Sequence, residues 1–458
     1  MELLYKVHDR PSFGKTIVFA LQQLLSILAG TIAVPLIIGN GMSQSAALFG
    51  ASVGTLVYLL ITKFKSPVFL GSSFTYIGSM SAAFAGAASA AIGFSGILIG
   101  AVLAGLVYVI LSILVHFTGS KWIDKLMPPV IIGPVVAIIA LILAPNAIHS
   151  LGIGDVMDSS GGVSANQYLC TLCGLLTLVV AVVCATYGKK MVKLVPFVAG
   201  ILAGYLLALV FTLIGNSTGN AALIIINFAP LKNISWLPDF TIVKAIKGFK
   251  EFSSAKEFLS YFGFIAVSYV PVAFAVFAEH IADHKNVSYI IESDLLKDPG
   301  LSRTLMGDGL GSIIGATFGG CPNTTYGESI SCLAFSKNAS IITIITTSVL
   351  GILISFFGPL MAVLATIPTC VVGGLSIALY GFIAISGFQM LKKVDLSEQK
   401  NIFVIATIFV LGIGGLTIRF YYVEFSPIAC ALVGGILMNL LVNIKRKKPE
   451  KISEENKK

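Results

Sequence analysis

Runs of about 20 apolar residues recur along the whole chain, and they constrain its fold more than any other feature. Of its 458 residues, 56% are hydrophobic and only 11% are charged, whereas soluble domains carry roughly a quarter charged residues. A soluble protein of this kind would have too few polar groups to cover its surface. A bilayer removes that difficulty, because lipid is the solvent for the outer face. The sequence therefore predicts an all-α polytopic membrane protein.

We predict fourteen membrane segments in this chain. The first apolar run, Ile17–Ile38, is too long for the apolar core of a cleavable signal peptide. The predicted segments are 15–38, 44–62, 68–85, 90–117, 122–145, 166–187, 192–214, 258–281, 301–319, 323–336, 339–358, 368–391, 400–418 and 425–444.

The distribution of basic residues predicts the orientation. With the amino terminus inside, 24 of the 30 Lys and Arg residues fall in inner segments, and five of the other six lie in one long connection near 215–257. The positive-inside rule thus predicts a cell-membrane protein with both termini in the cytoplasm. We attribute the net charge of +9 to this topology and expect no nucleic-acid partner. The basic tail from Lys445 is expected to be a solvated anchor at the inner surface.

Two segments differ from the rest because Pro, Gly and hydroxyl residues interrupt them. They read SPVFLGSSFTYIG (66–78) and GGCPNTTYGESIS (319–331), and they fall at matching places in the two halves of the chain. Backbone that leaves a helix at membrane depth must be buried in protein or line a cavity. Such paired breaks are typical of transporters built from inverted repeats.

Two acidic residues, Glu279 and Glu328, lie within apolar stretches. A carboxylate at membrane depth costs at least about 2.5–3.5 kcal/mol, so a functional role is expected, although a structural hydrogen bond is the alternative. Asp283 follows Glu279 by one helical turn, and two carboxylates so close resist double ionisation. This pair offers a means of proton coupling, unless Asp283 sits at the inner interface beside Lys285.

The broken segments supply further candidate groups. Glu328 opens a half-helix whose free N–H groups can donate to a ligand, and the backbone at Phe74 offers the same. Aromatic walls are expected from Phe74, Tyr326 and Tyr380. The combination suits a small, flat, neutral ligand that donates N–H and accepts at C=O.

For three other titratable residues the sequence indicates less specific roles. Asp308 is expected to be a hydrogen-bond acceptor in helix packing. His280 and His284 adjoin a predicted cytoplasmic loop, where an interfacial role is expected. No metal site is predicted, because the only CxxC pair, Cys170 and Cys173, lies inside an apolar run.

Several motifs resemble the nucleobase–ascorbate transporter family and, within it, the bacterial uracil permeases. They are LQQLL (21–25), GSSFTYIG (71–78), FAEHIADH (277–284), DLLKDPGLSR (294–303), PNTTYGES (322–329) and LYGFIAISG (379–387). They span nearly the whole chain in order, and AEH, DPG and PNTTYGE together are specific.

The resemblance implies fourteen spans in two inverted repeats of seven, with short strands in spans three and ten. The implied division is a core domain (1–118 and 258–367), a gate domain (119–215 and 368–444), a long extracellular connection (216–257) and a basic cytoplasmic tail (445–458). It also implies proton symport without a cofactor, and a homodimer joined through the gate domains in membrane lipid.

Carried over by position, Glu279 and Glu328 would bind the N–H and polar edge of a base, and the backbone N–H groups of Phe74 and Gly327 would donate to its carbonyls. Tyr380 would support Glu328. The predicted substrate-binding residues are Gln22, Ser73, Phe74, Glu279, Tyr326, Gly327, Glu328 and Tyr380, and the predicted proton-coupling residues are Glu279, Asp283 and Glu328.

Four positions depart from the family pattern. Asp283 stands where the uracil permeases have His, and Gln23 stands where the family commonly has His. Ser329 and Ser331 replace the Asn and Gly that usually follow the second acid.

The favoured function is a proton-coupled symporter that imports uracil by alternating access. The alternatives are a xanthine, uric acid or guanine permease of the same family, and an anion carrier or channel on the same fold. An anion carrier would require a basic residue at the break, whereas the sequence has two buried acids. We predict no enzymatic activity, because HExxH and the paired Asp motifs of membrane proteases are missing from the sequence.

Overall fold

The computed structural model describes residues 3–119, 128–153, 165–189, 192, 196–232, 234–392, 394–420, 423–425 and 427–443. The chain is mainly helical. Its helices are α1 (Phe13–Ile38), α2 (Gln44–Ile61), α3 (Ile77–Ala85), α4 (Ala90–Thr118), α5 (Pro129–Leu151), α6 (Gln167–Tyr187), α7 (Pro196–Thr218), α8 (Ala229–Lys232), α9 (Thr241–Glu251), α10 (Ala255–Ile291), α11 (Leu301–Gly319), α12 (Gly327–Ser336), α13 (Ile341–Ser355), α14 (Gly358–Leu364), α15 (Thr369–Leu391), α16 (Gln399–Ile413) and α17 (Pro427–Val442). The strands are β1 (Leu70–Ser72), β2 (Asn323–Thr325), β3 (Ile418–Phe420) and β4 (Val423–Phe425).

Each predicted membrane segment contains a described helix. Among the described residues, seven helices are long and apolar enough to cross a membrane, or eight if α13 and α14, bent by 84°, count as one span. The remaining predicted segments correspond to shorter helices or to the broken segments. The basic tail 445–458 lies outside the described residues, as do 122–127 in predicted segment five, 193–195 in segment seven, and 426 and 444 in segment fourteen.

Helix α10 is longer than its sequence pattern suggested. The predicted span ended at residue 281, whereas the helix runs for 37 residues, from Ala255 to Ile291. At its start, the Ser254 hydroxyl accepts from the Glu257 N–H, and the Glu257 carboxylate accepts from the Ser253 N–H. This reciprocal cap fixes where α10 begins. The polar residues after 279 therefore lie inside the helix rather than in a loop.

The two broken segments meet at strands β1 and β2. These strands pair antiparallel, with Leu70 opposite Thr325 and Ser72 opposite Asn323. All six strand residues are buried. A short helical turn, Phe74–Tyr76, and α3 follow β1, whereas α12 follows β2. The predicted strands in segments three and ten are thus present, and pairing satisfies the backbone groups that the breaks expose.

Close contact between α2 and α11 holds the strand pair in place. A Cβ atom on Gly54 would lie 2.5 Å from the Gly311 carbonyl oxygen, and one on Gly311 would lie 2.7 Å from that of Gly54. Gly315 and Gly50 approach each other in the same way one turn further along. Glycines therefore let the backbones of α2 and α11 approach closely, as is common between membrane helices. The Asn323 side chain of β2 donates to the Gly50 carbonyl at 3.3 Å and so ties the strand to the helix pair.

Candidate functional site

The first turn of α12 opens onto free space. The first bond of the helix joins the Ile330 N–H to the Tyr326 carbonyl at 3.1 Å, so the N–H groups before it have no partner within the helix. Gly327 is exposed, and a Cβ atom placed there would meet nothing within 4 Å. Glu328, the next residue, is half-buried. This arrangement leaves room for a ligand against both N–H donors and a carboxylate.

Glu279 on α10 contacts the other broken segment, 66–78. The Thr75 hydroxyl, in the turn after β1, donates to the Glu279 carboxylate at 3.3 Å. Phe74, the residue before Thr75, stacks on the ring of Tyr326, which lies two residues before Glu328. The structure thus brings together the two acids that the sequence analysis singled out.

Asp283 completes a group of three carboxyl groups. It lies on α10 one helical turn after Glu279. The Thr325 hydroxyl, at the end of β2, donates to the Asp283 carboxylate at 2.7 Å. Asp283 is half-buried and bonded to the strand pair, so the alternative of an interfacial residue paired with Lys285 does not describe its position.

Aromatic side chains wall the start of α12. Tyr326 is 3% exposed and stacks on Phe74, with ring centroids 6.2 Å apart. Its ring fills a slot between α1 and β1, because a Cβ atom on Gly30 or Gly71 would lie within 2.8 Å of ring carbons. The neighbouring Ser73 hydroxyl is buried and has no hydrogen-bond partner among the described residues. A buried hydroxyl of this kind is suited to a ligand.

Two further predicted site residues are Tyr380 on α15 and Gln22 on α1. Tyr380, on α15, is 3% exposed and hydrogen-bonds to Ser376. Both line a cavity of about 210 Å³ between α1, α3, α5 and α15, which also contains Ile77 and His149. Gln22 is buried on α1. Support of Glu328 by Tyr380 and contact of Gln22 with substrate remain predictions.

Two of the departures from the family pattern contact each other. The Gln23 side-chain amide of α1 donates to the Ser329 hydroxyl at 2.5 Å and to the Ser329 carbonyl at 3.3 Å. The Phe69 N–H, just before β1, also donates to the Ser329 hydroxyl at 3.3 Å. Ser329 therefore fastens the first turn of α12 to both α1 and the strand pair. The side chain of Ser331 lies outside the described residues.

His280 and Asp308 form a buried pair behind the site. The His280 Nδ1 lies 2.7 Å from an Asp308 carboxylate oxygen, and its Nε2 lies 3.1 Å from the Thr304 hydroxyl. His280 is 0% exposed and Asp308 is 1% exposed. The Thr304 hydroxyl donates to the Leu301 carbonyl, so Nε2 of His280 carries a proton and donates to Thr304. With one further proton between Nδ1 and the carboxylate, the pair is neutral overall. The interfacial role expected for His280 is therefore wrong, because α10 continues past it and α11 covers it.

His284 is likewise buried, which also contradicts an interfacial role. Its Nδ1 donates to the His280 carbonyl at 2.8 Å, and its Nε2 lies 2.7 Å from the Tyr58 hydroxyl of α2. Tyr58 in turn lies 2.7 Å from the Ser66 hydroxyl. These bonds join α10 to α2 beneath the strand pair.

Sequence reasoning missed the two threonines that hold the acids. Thr75 follows β1, and Thr325 is the last residue of β2. The sequence around these threonines does not indicate their contacts with Glu279 and Asp283. A usable signal was present: hydroxyl residues at membrane depth need partners, and the acids of α10 needed donors. The Gln23–Ser329 contact could have been inferred only by linking the two departures.

Known proteins resemble this chain over nearly its whole length. Residues 14–419 match the profile Xan_ur_permease, which describes a permease family. The chain belongs to the nucleobase–ascorbate transporter family. It is 36% identical over 454 residues to a uracil permease of Bacillus caldolyticus, covering 98% of this chain and 97% of the relative. It is 34% identical to a uracil permease of Bacillus subtilis, with 98% of each covered, and 30% identical to one of Escherichia coli, with 96% and 94% covered.

Solved structures share the fold of this family member at low sequence identity. The transmembrane domain of the cyanobacterial bicarbonate transporter BicA aligns with a TM-score of 0.62 and 15% identity, over 95% of this chain and 99% of that one. The murine anion transporter Slc26a9 aligns with a TM-score of 0.61 and 12% identity, over 95% and 69%. These likenesses establish a multi-pass membrane transporter fold.

Proposed function

We propose that this chain imports a nucleobase, with uracil as the favoured substrate, together with protons. The observation that carries the proposal is the meeting of Glu279, Asp283 and Glu328 beside the open first turn of α12. The names of the similar permeases support uracil over other bases.

A pyrimidine base matches the groups around this space. Its ring N–H groups would donate to the carboxylates of Glu279 and Glu328, and its carbonyls would accept from backbone N–H groups at Phe74 and Gly327. Charge-assisted hydrogen bonds of this kind are roughly twice as strong as neutral ones. The stacked rings of Phe74 and Tyr326 would contact the flat face of the base.

Proton coupling in this proposal rests on the three acids. Protonation of one of them relieves the repulsion among the group, and the neutral base then binds to a site with less charge. Asp283 is the acid best placed to couple the two events, because its partner Thr325 lies three residues before Glu328 on the same broken segment. Proton and base would enter from outside and leave in the cytoplasm.

The proposal includes alternating access between two domains. The core domain (1–118 and 258–367) would carry the site past the gate domain (119–215 and 368–444), in a fourteen-span fold of two inverted repeats. A homodimer would join through the gate domains, with both termini in the cytoplasm. The close packing of α2 with α11 supports a core that moves as one unit.

Ligand-induced stabilisation of the purified protein tests the substrate. A ligand that binds only the folded state at 100 times its Kd raises the free energy of unfolding by about 2.7 kcal/mol. The panel would contain uracil, thymine, xanthine, guanine, adenine, uric acid and sulfate. We expect stabilisation by uracil; stabilisation by a purine alone would assign a purine permease, and by sulfate alone an anion carrier.

Glu328→Gln tests the site with the same assay. The substitution removes the charge of the acceptor and should abolish stabilisation by uracil. Glu398→Gln is the matched control, because Glu398 is exposed at the start of α16. Normal binding of uracil by Glu328→Gln would overturn the site assignment.

A further inference from the structure

Helix α9 packs beside the start of α4. Its residues Thr241, Ala245 and Gly248 are buried. The Ser95 hydroxyl of α4 donates to the Ala245 carbonyl at 2.8 Å, and the backbone of Ala91 leaves no room for a side chain at Gly248. Because α4 begins at Ala90, these contacts hold α9 at the level where a membrane span begins.

This boundary is on the side opposite the amino terminus. The Lys244 ammonium group donates to the Gly41 carbonyl at 2.6 Å, and Gly41 follows the far end of α1. Lys244 also forms an ion pair with Asp239 and lies 4.6 Å from the centroid of the Phe94 ring. Lys244 is therefore engaged in holding α9 in place.

The outward surface of α9 carries two adjacent stripes. One is apolar: Val243, Ile246 and Phe249 are 52%, 49% and 38% exposed. The other contains the exposed residues Lys247 and Lys250. Helical spacing places these residues side by side along the helix surface.

No acidic side chain in the described part of the chain forms an ion pair with either of these lysines. Glu251, the acid at the end of α9, accepts a hydrogen bond from Ser89. The basic stripe is thus free to meet an external anion, next to side chains that favour an apolar medium.

We propose that α9 binds the headgroups of anionic phospholipids, with Lys247 and Lys250 on the phosphates and Val243, Ile246 and Phe249 inserted among the acyl chains. Amphipathic helices with this division of residues lie in the membrane interface and bind more strongly to anionic lipid. The proposal also accounts for two of the five lysines in the 215–257 connection, which are the main exception to the positive-inside distribution.

Native mass spectrometry of the full-length protein with phosphatidylglycerol tests this proposal. Each lysine at an anionic membrane surface contributes to the free energy of lipid binding. Each single substitution should therefore lower the affinity for phosphatidylglycerol about fivefold. By the same reasoning, the affinity of the double variant Lys247→Gln/Lys250→Gln for phosphatidylglycerol should be about 25-fold lower. Lys232→Gln is the matched control for Lys250→Gln, because Lys232 is exposed on α8 in the same connection, and it should bind like the unmodified protein.

Further measurements distinguish lipid binding at α9 from binding of another ligand there. Phosphatidylcholine should bind the protein and the double variant equally, whereas Ile246→Ser/Phe249→Ser should weaken phosphatidylglycerol binding without a change in charge. Unchanged phosphatidylglycerol affinity of Lys247→Gln/Lys250→Gln would overturn the proposal. Competition by soluble glycerol phosphate as effective as the lipid would assign a phosphate site instead, and a changed oligomeric state with unchanged lipid binding would assign a second copy of the chain. None of these measurements depends on the transported substrate.

Discussion

The Gln23 side-chain amide on α1 donates to the Ser329 hydroxyl on α12 at 2.5 Å. Both residues depart from the family pattern, and the structure places them in contact one residue from Glu328. The Phe69 N–H shares the same hydroxyl. Ser329 therefore connects three elements that come from opposite ends of the chain, and it sets the position of the first turn of α12.

Ser329→Ala should weaken uracil binding, although Ser329 is not among the groups proposed to contact uracil. The substitution leaves the Gln23 amide buried without its partner, and such a loss costs about 1–3 kcal/mol. We expect the KM for uracil uptake to rise about tenfold, while the protein still folds. Ser329→Thr, which keeps the hydroxyl, is the control. Equal KM values for Ser329→Ala and the unmodified protein would mean that the contact does not position Glu328.

Substitutions at Gly30 and Gly71 should distinguish the contact at the Tyr326 hydroxyl from the contact at its ring. Gly30→Ala and Gly71→Ala each place a Cβ against Tyr326, but at different atoms: its hydroxyl end for Gly30 and the body of its ring for Gly71. We therefore expect Tyr326→Phe to restore part of the uptake lost in Gly30→Ala and none of that lost in Gly71→Ala. Uptake by the two double variants measures this difference, and equal rescue of both would contradict the slot geometry.

Asp283→Asn should alter the pH dependence of uptake. The amide oxygen of Asn still accepts from the Thr325 hydroxyl, so the link to β2 survives while one titratable group is lost. We expect a flatter pH profile of uracil uptake in proteoliposomes. Thr325→Val is the companion variant, because it removes the hydrogen bond and keeps the acid. A pH profile unchanged in Asp283→Asn would assign proton coupling to Glu279 or Glu328.

The His280–Asp308 pair predicts a difference between two substitutions. Asp308→Asn can still hydrogen-bond to His280 Nδ1 and keeps the pair neutral, so the fold should retain its stability. Asp308→Ala leaves that nitrogen buried without a partner and should lower the free energy of unfolding by about 1–3 kcal/mol. Thermal unfolding in detergent compares the two. Similar losses in both variants would indicate that a charge on Asp308 is required.

The α2–α11 contact should tolerate no added methyl group. Gly315→Ala would place a Cβ 2.8 Å from the Gly50 carbonyl oxygen and closer still to the Asn323 side chain. Overpacking of this kind costs about 1–3 kcal/mol. Gly14→Ala is the control, because nothing lies within 4 Å of its Cβ, and Ala is favoured over Gly in a helix. Equal thermal stability of the two variants would contradict the proximity of the backbones.

Sequence reasoning reached the helical membrane fold and the central residues because the bilayer imposes strong rules. Length and hydropathy located the helices, and the cost of acids at membrane depth singled out Glu279 and Glu328. The same reasoning failed at His280 and His284, since hydropathy falls where a helix carries buried polar residues. The apolar run thus stopped near residue 281, although α10 continues to Ile291.

The partners of the site residues lay beyond the reach of sequence patterns. Thr75 and Glu279 are far apart in the chain, as are Thr325 and Asp283. Local periodicity describes one element at a time, whereas these contacts depend on how β1 and β2 pair and how α10 passes them.

The pairing of β1 with β2 has a consequence for biogenesis. Leu70 pairs with Thr325, and the ribosome adds Thr325 only after most of the chain has been made. Until then the β1 segment has no strand partner, and its polar backbone cannot face lipid. The nascent amino-terminal half must therefore stay near the insertion machinery or near water until the second half arrives. A chain truncated before residue 323 should be recognised by quality-control proteases as incomplete, even though its earlier helices are apolar enough to insert.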